Sequence, residues 1–315
     1  MRSFTVLLTL TATVIAAGVK KGTCMRPDLR VEWRTLTEAQ KASYHKAVKC
    51  LQTKPSPEFK GRSQYDYFAW MYDTQIQHVH QAASFLPWHR YFTFAHTQFL
   101  KDCGYEGPTP YWDWTKDVNN MPKSQIFDIT TGFGGDGEKQ GHCVQGGPYS
   151  ATSKFQLTWP WNQCLQRRFN DMVSTPAKGF RAATGPAGRH SSTQVMKINK
   201  NRNFKTFAPA LEDMHQAVIK EISPMMSSGF APLDPLFFLH LNNIDRLWAL
   251  WQEANEDRLK DYGSITPKSP GSTVTPTRPA TMNDPILLAF KTFPGLRVRQ
   301  LLDTQGSALC YKYMQ

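Results

Sequence analysis

The fold of this 315-residue chain is decided by residues 80–92, which read HQAASFLPWHRYF. His80 and His89 stand on either side of a Leu-Pro-Trp turn, and Arg90 follows the second histidine directly. Proline interrupts a helical pattern because it lacks a backbone N–H and its ring clashes with the preceding turn. The stretch therefore predicts helices over residues 65–74 and 91–101, with a loop inserted at residues 84–88.

Two later segments read as helices that each carry one histidine. Residues 211–226 contain His215 and residues 236–255 contain His240. A further helix is predicted over residues 36–51, where a threonine can cap the first turn and apolar residues follow at helical spacing. Helices that point imidazoles inward are how helix bundles build metal sites, and neutral imidazole suits zinc, copper, iron and nickel.

The remaining segments read as irregular structure. Residues 174–206 are polar and contain glycine, which predicts a long surface loop, and residues 263–285 are rich in Pro, Ser and Thr. The glycine-rich residues 132–147 lack the strand, helix and Lys-Ser/Thr ending of a phosphate loop, so they predict no nucleotide site. The expected class is mainly α, with helices around a site and long loops outside.

Residues 1–18 have the pattern of a secretory signal peptide: an early arginine, a short apolar stretch and small residues at the end. The six cysteines are an even number, which in a secreted protein predicts disulfides. The formal charge of +12 is spread along the chain without a recognisable nucleic-acid module, so no nucleic-acid or membrane partner is predicted. The expected location is the secretory pathway or outside the cell.

Several separate motifs carry a resemblance to a known family. They are Cys103-Gly-Tyr, Pro110-Tyr-Trp-Asp-Trp114, Asp234-Pro-Leu-Phe-Phe-Leu-His240, Asn243-Ile-Asp245-Arg246-Leu-Trp248 and Cys310-Tyr-Lys-Tyr313. With residues 80–92, they resemble the tyrosinase, catechol oxidase and haemocyanin family, especially its short secreted fungal members. The resemblance implies one tyrosinase-like domain over residues 19–315, with a central four-helix bundle and long loops.

The resemblance also implies contacts between segments that lie far apart in the chain. The expected disulfides are Cys24 with Cys310, Cys50 with Cys103, and Cys143 with Cys164. Arg90 and Asp245, which each follow a metal-segment motif, are expected to form a buried pair, because a charge at such depth needs a partner.

Members of this family bind each of two copper ions with three histidines. For the first copper, His80 and His89 match two of the ligand positions. The third ligand should lie about eight residues before His80, where this chain has Tyr72. His78 is nearby but out of register, and two residues from His80 it should point elsewhere.

The second copper position is more strongly altered. His215 matches the first ligand, but Ile219 stands where the second histidine of an i, i+4 pair should be. The last ligand is normally the second of two adjacent histidines, and here His240 is followed by Leu241. His240 matches the neighbour that does not bind, so it should orient other groups rather than hold a metal. The resemblance therefore predicts that the copper pair is lost.

The surviving histidines predict a site for one ion. His80, His89 and His215 would lie across one small cavity, and three histidines with an open fourth position describe a catalytic zinc site. The expected cofactor is one divalent ion, zinc in preference to copper. The alternative is an empty site in a protein that serves as a scaffold.

The predicted function is a zinc-dependent, non-oxidative lyase or rearrangement enzyme of fungal secondary metabolism. The fungal cyclopenases, haemocyanin-like zinc enzymes that convert cyclopenin to viridicatin in quinolone alkaloid biosynthesis, are similar in kind. The substrate would be a small aromatic alkaloid, with Glu212 and Tyr72 as catalytic residues and an apolar pocket at Ile219 and Leu241. The alternatives are a non-catalytic secreted metal-binding pseudoenzyme and a residual copper oxidase.

Copper loading is expected to leave the protein inactive toward catechol, because Ile219 and Leu241 offer no donor atom to a second copper. The measurement is quinone absorbance after incubation of the copper-loaded protein with catechol, with a known catechol oxidase as positive control. Quinone formation at a rate that rises in proportion to the protein concentration would refute the lost-site interpretation.

Overall fold

The computed structural model describes residues 24–138, 140–169, 186–265 and 278–314. The predicted signal peptide lies outside these ranges. The helices of the described residues are α1 (Glu38–Thr53), α2 (Gln64–Val79), α3 (Phe85–Asp102), α4 (Ser192–Asn199), α5 (Phe204–Ile222), α6 (Leu236–Glu253) and α7 (Val298–Leu301). None of them is long and apolar enough to span a bilayer.

Short strands join the two ends of the described chain. β1 (Asp28–Glu32) pairs in parallel with β2 (Thr109–Tyr111) on one side and with β5 (Tyr311–Tyr313) on the other. A second pair, β3 (Pro285–Ile286) and β4 (Leu296–Arg297), is antiparallel. The mainly α prediction is confirmed, because strands contribute only these short segments in the described ranges.

The helices begin where their side chains can satisfy the first free backbone N–H groups. Thr37 and Gln40 form a capping box at the start of α1, and Ser63 and Asp66 form one at the start of α2. α2 ends where His80 turns extended and Gln81 takes a left-handed φ of 52°. That turn sets the direction in which the His80 side chain leaves the helix.

Two predicted loops are wrong in the structure. α3 begins at Phe85, so Pro87 lies inside the first turn instead of in a loop at residues 84–88. A proline is tolerated there because the N–H groups of the first helical turn have no helical partner. The loop predicted over residues 174–206 contains α4 and the start of α5, and its residues 174–185 lie outside the described ranges.

Helices α2, α3, α5 and α6 pack around an aromatic core. The ring of Phe68 on α2 lies 5.5 Å from that of Phe92 on α3, which stacks at 5.6 Å on Phe238 of α6. The His215 ring on α5 lies 6.3 Å from Phe237 of α6. Edge-on and offset ring contacts of this kind stabilise a core beyond the area they bury.

The Asp245 carboxylate on α6 holds several elements together. It accepts from the Nε of Arg90 on α3 at 2.5 Å and from the hydroxyls of Tyr311 and Tyr313 on β5 at 2.6 and 2.5 Å. Arg30 on β1 adds a second guanidinium at 3.2 Å. The predicted burial of the Arg90–Asp245 pair is confirmed, since their side chains are 0% and 3% exposed.

The charges around Asp245 outweigh its desolvation. Burial alone would raise the pKa of this carboxyl, but Arg90, Arg30 and the two tyrosine hydroxyls favour the charged form and hold the pKa below its ordinary value.

All three expected disulfides are present, and the six cysteines are all paired.

Replacement of Asp245 by Asn is expected to lower the free energy of unfolding by about 3 to 5 kcal/mol, because it leaves two buried guanidiniums without their carboxylate. The measurement is urea unfolding at pH 7. The pKa of Asp245 is lower in the folded chain than in the unfolded chain. The difference in free energy of unfolding between the wild type and Asp245→Asn is therefore complete above about pH 4, and it shrinks as the pH falls through the folded-state pKa. The exposed Glu253 on α6, changed to Gln, is the control. A loss for Asp245→Asn no larger than for Glu253→Gln would contradict the role of this carboxylate.

Candidate active site

The His80 side chain is held between a carboxylate and a phenol. Its Nδ1 lies 3.0 Å from Oε1 of Glu212 on α5, and the same oxygen accepts from the backbone N–H of Gln81 at 2.8 Å. Its Nε2 lies 2.9 Å from the hydroxyl of Tyr72 on α2. Because an ionised carboxylate only accepts, the proton of His80 belongs on Nδ1. The Nε2 lone pair then faces Tyr72, whose O–H donates to it.

His89 on α3 has the same tautomer for a different reason. Its Nδ1 lies 2.7 Å from the carbonyl oxygen of Phe85, one helical turn earlier, so Nδ1 donates and Nε2 carries the lone pair. The His215 ring on α5 contacts His240 of α6, with Nδ1 and Nε2 2.8 Å apart. In the described part of the chain, neither Nε2 of His89 nor Nε2 of His215 has a hydrogen-bonding partner, although both atoms are buried.

The structure brings His80, His89 and His215 together. Their ring centroids are 5.0 Å apart for His80 and His89, 5.5 Å for His80 and His215, and 6.3 Å for His89 and His215. Three imidazoles bound to one tetrahedral zinc at about 2.0 to 2.1 Å would place their centroids about 5 Å apart. The spacing is therefore near that of a three-histidine site and slightly wider.

As the side chains stand, no group of three or more His, Cys, Asp or Glu among the described residues is arranged to hold a metal ion. The hydrogen bond of Tyr72 to Nε2 of His80 gives a physical reason, because that lone pair is already used. The donor chemistry nevertheless fits: two buried imidazole nitrogens have no partner among the described residues, and a third is occupied only by a hydroxyl. Metal-binding histidines commonly donate their other N–H to a carboxylate or a carbonyl, as His80 and His89 do here.

Burial keeps the imidazoles of His89, His215 and His240 neutral. It lowers the pKa of His89 and of His215 well below the ordinary value, and neighbouring histidines lower both further. For His240, burial and then His190 lower the pKa to about 3. Neutral imidazole is the form that binds a metal or accepts a proton.

The positions that the family resemblance marks as altered are all buried. Ile219 is 2% exposed and Leu241 is 1% exposed, and both belong to the hydrophobic core. Tyr72 is 1% exposed, and burial, with Glu212 nearby, raises the pKa of its phenol. His78 is exposed, as its position two residues from His80 predicted.

One aromatic side chain contacts all three histidines. Phe85, the first residue of α3, has its ring centroid 5.2 Å from His80, 4.7 Å from His89 and 5.4 Å from His215. The sequence predicts a loop at Phe85 and indicates no role for it. Its contacts give the histidine cluster an apolar side from which water is displaced.

A cavity of about 310 Å³ lies beside the turn that follows His80. Its walls include Gln81, Ala83, Tyr262 and Ile286, with the Arg278–Asp284 ion pair. Neither Ile219 nor Leu241 lines it.

His190 and Glu221 form a second buried polar pair, which the sequence does not predict. His190 and Glu221 are 0% and 2% exposed, with Nδ1 and Oε1 3.4 Å apart. His190 fell within a predicted loop, which hid it. Glu221 lies seven residues after the buried Met214 on α5, so helical spacing could have marked it as an inward-facing carboxylate.

Comparisons with known proteins identify the family of this chain. Residues 62–254 match the model of the common central domain of tyrosinase. The chain is 32% identical to Tyrosinase ustQ of Aspergillus flavus, over 98% of its own length and 88% of that protein. The chain belongs to the tyrosinase family. It is also 26% identical to N-acetyl-6-hydroxytryptophan oxidase ivoB of Emericella nidulans, over 96% of each chain.

Solved structures show the same tyrosinase-family fold. A polyphenol oxidase of Thermothelomyces thermophila superposes with a TM-score of 0.74 at 23% identity, covering 92% of this chain and 89% of that one. A functional unit of octopus hemocyanin superposes with a TM-score of 0.59 at 18% identity, covering 91% and 68%. The resemblance and the fold predicted from the sequence are confirmed.

Replacement of Glu212 by Leu is expected to lower the free energy of unfolding by about 1 to 3 kcal/mol, because the N–H groups of His80 and Gln81 lose their acceptor. Glu212→Gln keeps an acceptor oxygen and should lose less than half as much. The measurement is urea unfolding of both variants at pH 7. Equal stability of Glu212→Leu and the wild type would show that this carboxylate does not hold the turn.

Proposed function

We propose that this tyrosinase-family protein is a mononuclear, metal-dependent enzyme with non-oxidative chemistry, and that zinc is its ion. The proposed ligands are His80, His89 and His215. One observation carries the proposal: the buried Nε2 atoms of His89 and His215 have no partner among the described residues, although buried polar atoms are nearly always paired.

The absence of oxidase chemistry is inferred from the second-copper side of the site. Ile219 and Leu241 are buried hydrocarbon side chains at two of the positions where the family has ligands. Neither side chain can bind a metal, and an ordinary rotamer change would not supply a donor. Side-on dioxygen chemistry requires two coppers acting together, so its loss follows if these positions are ligand positions.

A bound zinc would polarise a carbonyl or epoxide oxygen and acidify a water. The residues of the chain would orient the site and move protons. Glu212 fixes the ring of His80 through Nδ1 and can accept a proton from substrate when that contact opens. The phenol of Tyr72 stays neutral because burial raises its pKa, so its O–H can donate to a substrate oxygen once it leaves His80.

The proposed substrate is a small aromatic alkaloid, of the kind that the fungal cyclopenases convert. Phe85 provides an aromatic surface directly against the histidines, and Phe237 lies 5.1 Å from Tyr72. The cavity beside Gln81 provides an approach from outside, with polar and apolar walls. The protein would act in the secretory pathway or outside the cell, and its three disulfides support an oxidising compartment.

Two other functions compete with this proposal. The oxidase ivoB among the relatives favours a residual copper oxidase. The hydrogen bond that occupies His80 favours a non-catalytic protein with the tyrosinase fold. Metal content and a conversion assay separate the three.

The purified secreted protein is expected to contain one zinc ion per chain. His89→Ala and His215→Ala should each abolish zinc binding, because two imidazoles hold zinc poorly. His78→Ala is the control, since this histidine lies near the end of α2, two residues before His80, but is exposed and is not a proposed ligand. The measurements are elemental analysis and zinc titration of the metal-free protein. Retention of zinc in both alanine variants would place the metal elsewhere.

The reaction itself is tested by incubating the protein with cyclopenin and following viridicatin by mass spectrometry. A chelator should stop the conversion, and added zinc should restore it. Full activity after removal of the metal would rule out the mechanism. If a zinc-loaded protein does not convert cyclopenin, the proposed metal site is still supported but the proposed substrate is wrong.

A further inference from the structure

The His190–Glu221 pair is unusual for its burial and its lack of partners. Both side chains are almost completely buried, and their nearest atoms, Nδ1 and Oε1, are 3.4 Å apart. Across the described residues, no hydrogen bond reaches either ring nitrogen of His190 or either oxygen of Glu221. A buried carboxylate and imidazole normally persist only when they are hydrogen-bonded.

Two more unpartnered atoms lie next to this pair. The indole of Trp114 contacts both histidine rings, with centroids 5.9 Å from His190 and 6.3 Å from His240. Nε1 of Trp114 and Nδ1 of His240 are buried and also lack a partner in the described ranges. The other nitrogen of His240, Nε2, contacts Nδ1 of His215 at 2.8 Å. The ring of Trp114 therefore lies against both His190 and His240, and His240 in turn contacts the candidate active site.

We infer that Glu221 and His190 are positioning residues that set the tautomer of His240 and, through it, direct the Nε2 lone pair of His215 into the active site. A single buried water would connect His190 to His240. The effect of Glu221 and His190 on metal binding rests on the function proposed above. The tautomers themselves do not require a metal.

The direction in which the hydrogen bonds run from Glu221 to His215 is set at the Glu221 end. An ionised carboxylate only accepts, so Glu221 selects the tautomer of His190 with its proton on Nδ1 and its lone pair on Nε2. A water beside Trp114 would accept from the indole N–H and from Nδ1–H of His240 and donate to Nε2 of His190, which satisfies three atoms at once. With its proton on Nδ1, His240 must accept at Nε2. His215 then donates from Nδ1, and its own lone pair lies on Nε2.

The opposite tautomer would disable the site. If Nε2 of His240 carried the proton, it would donate to Nδ1 of His215, and the proton of His215 would lie on Nε2. That nitrogen could then bind no metal. The acceptor that prevents this arrangement is Glu221, six residues after His215 on α5. Partners of this kind fix which nitrogen of a histidine is available to a metal.

The test is nitrogen NMR of the full-length, metal-free protein labelled with ¹⁵N-histidine, with signals assigned by single histidine substitutions. The expected result is that His190, His240 and His215 all carry their proton on Nδ1. A wild-type protein in which His240 or His215 is protonated on Nε2 would overturn the inference without any variant.

The variant Glu221→Gln keeps the shape of the side chain but adds an amide that can donate, so the selection is lost. We expect Nε2-protonated forms of His190 and His215 to appear, and zinc affinity, measured by competition with a chromophoric chelator, to fall about 10- to 100-fold. Glu253→Gln, at an exposed position of α6, should change neither readout.

The outcomes separate this inference from the proposed function. Wild-type tautomers unchanged in a folded Glu221→Gln protein would refute the role of Glu221. The expected tautomers in a protein that binds no zinc would support the inference and reject the metal proposal.

Discussion

The rest of the molecule depends on the buried hydrogen bonds and ion pairs of the Asp245 carboxylate. This carboxylate receives hydrogen bonds from α3, β1 and β5, elements that are separated by most of the length of the chain. Arg90 extends the same network, since it also donates to the carbonyl oxygens of Leu301 and Leu302. Because Arg90 follows His89 and Asp245 lies five residues after His240, the network fixes both histidine-bearing helices relative to each other. A buried charge of this kind is costly unless it is paired, and the pairing with Arg90 and Arg30 restricts how the helices can pack.

The two halves of the site differ in chemistry. On the α2 and α3 side, His80 and His89 each have Nδ1 committed to an acceptor, so that the lone pair lies on Nε2. Nε2 of His80 accepts from the Tyr72 hydroxyl, whereas Nε2 of His89 has no partner among the described residues. On the α5 and α6 side, Ile219 and Leu241 contribute only hydrocarbon, and His215 depends on His240 for its orientation. Polar groups are therefore concentrated around one centre, while the other half has become part of the core. The proposed mononuclear chemistry, which needs charge stabilisation and proton transfer, would require polar groups on one side of the site only.

Much of the fold could be predicted from sequence, because the motifs around His89 and Asp245 combine local pattern with a specific need for burial. The three disulfides follow from the family resemblance, and the Arg90–Asp245 pair follows from the resemblance together with the cost of burying a charge; all are confirmed. Pro87 was misread as a loop residue because its effect depends on whether it lies in the first turn of a helix or later, and composition does not give that position. The contact of Tyr72 with His80 could not be predicted, since it depends on where α2 ends and on the left-handed conformation of Gln81. His190 was hidden because its pairing with Glu221 is purely tertiary.

The bond between Cys24 and Cys310 joins residues 286 positions apart, so it closes almost the entire described chain into one covalent ring. A single cut of the backbone anywhere between them would open the ring without releasing a fragment. Both pieces would also remain paired along β1 and β5, with Cys310 directly before β5 and Cys24 four residues before β1. Under non-reducing conditions a protease acting once on this molecule would leave its mass larger by one water only. The protein would thus keep its histidine-bearing helices in a single molecule after damage that would separate them in a chain without this bond.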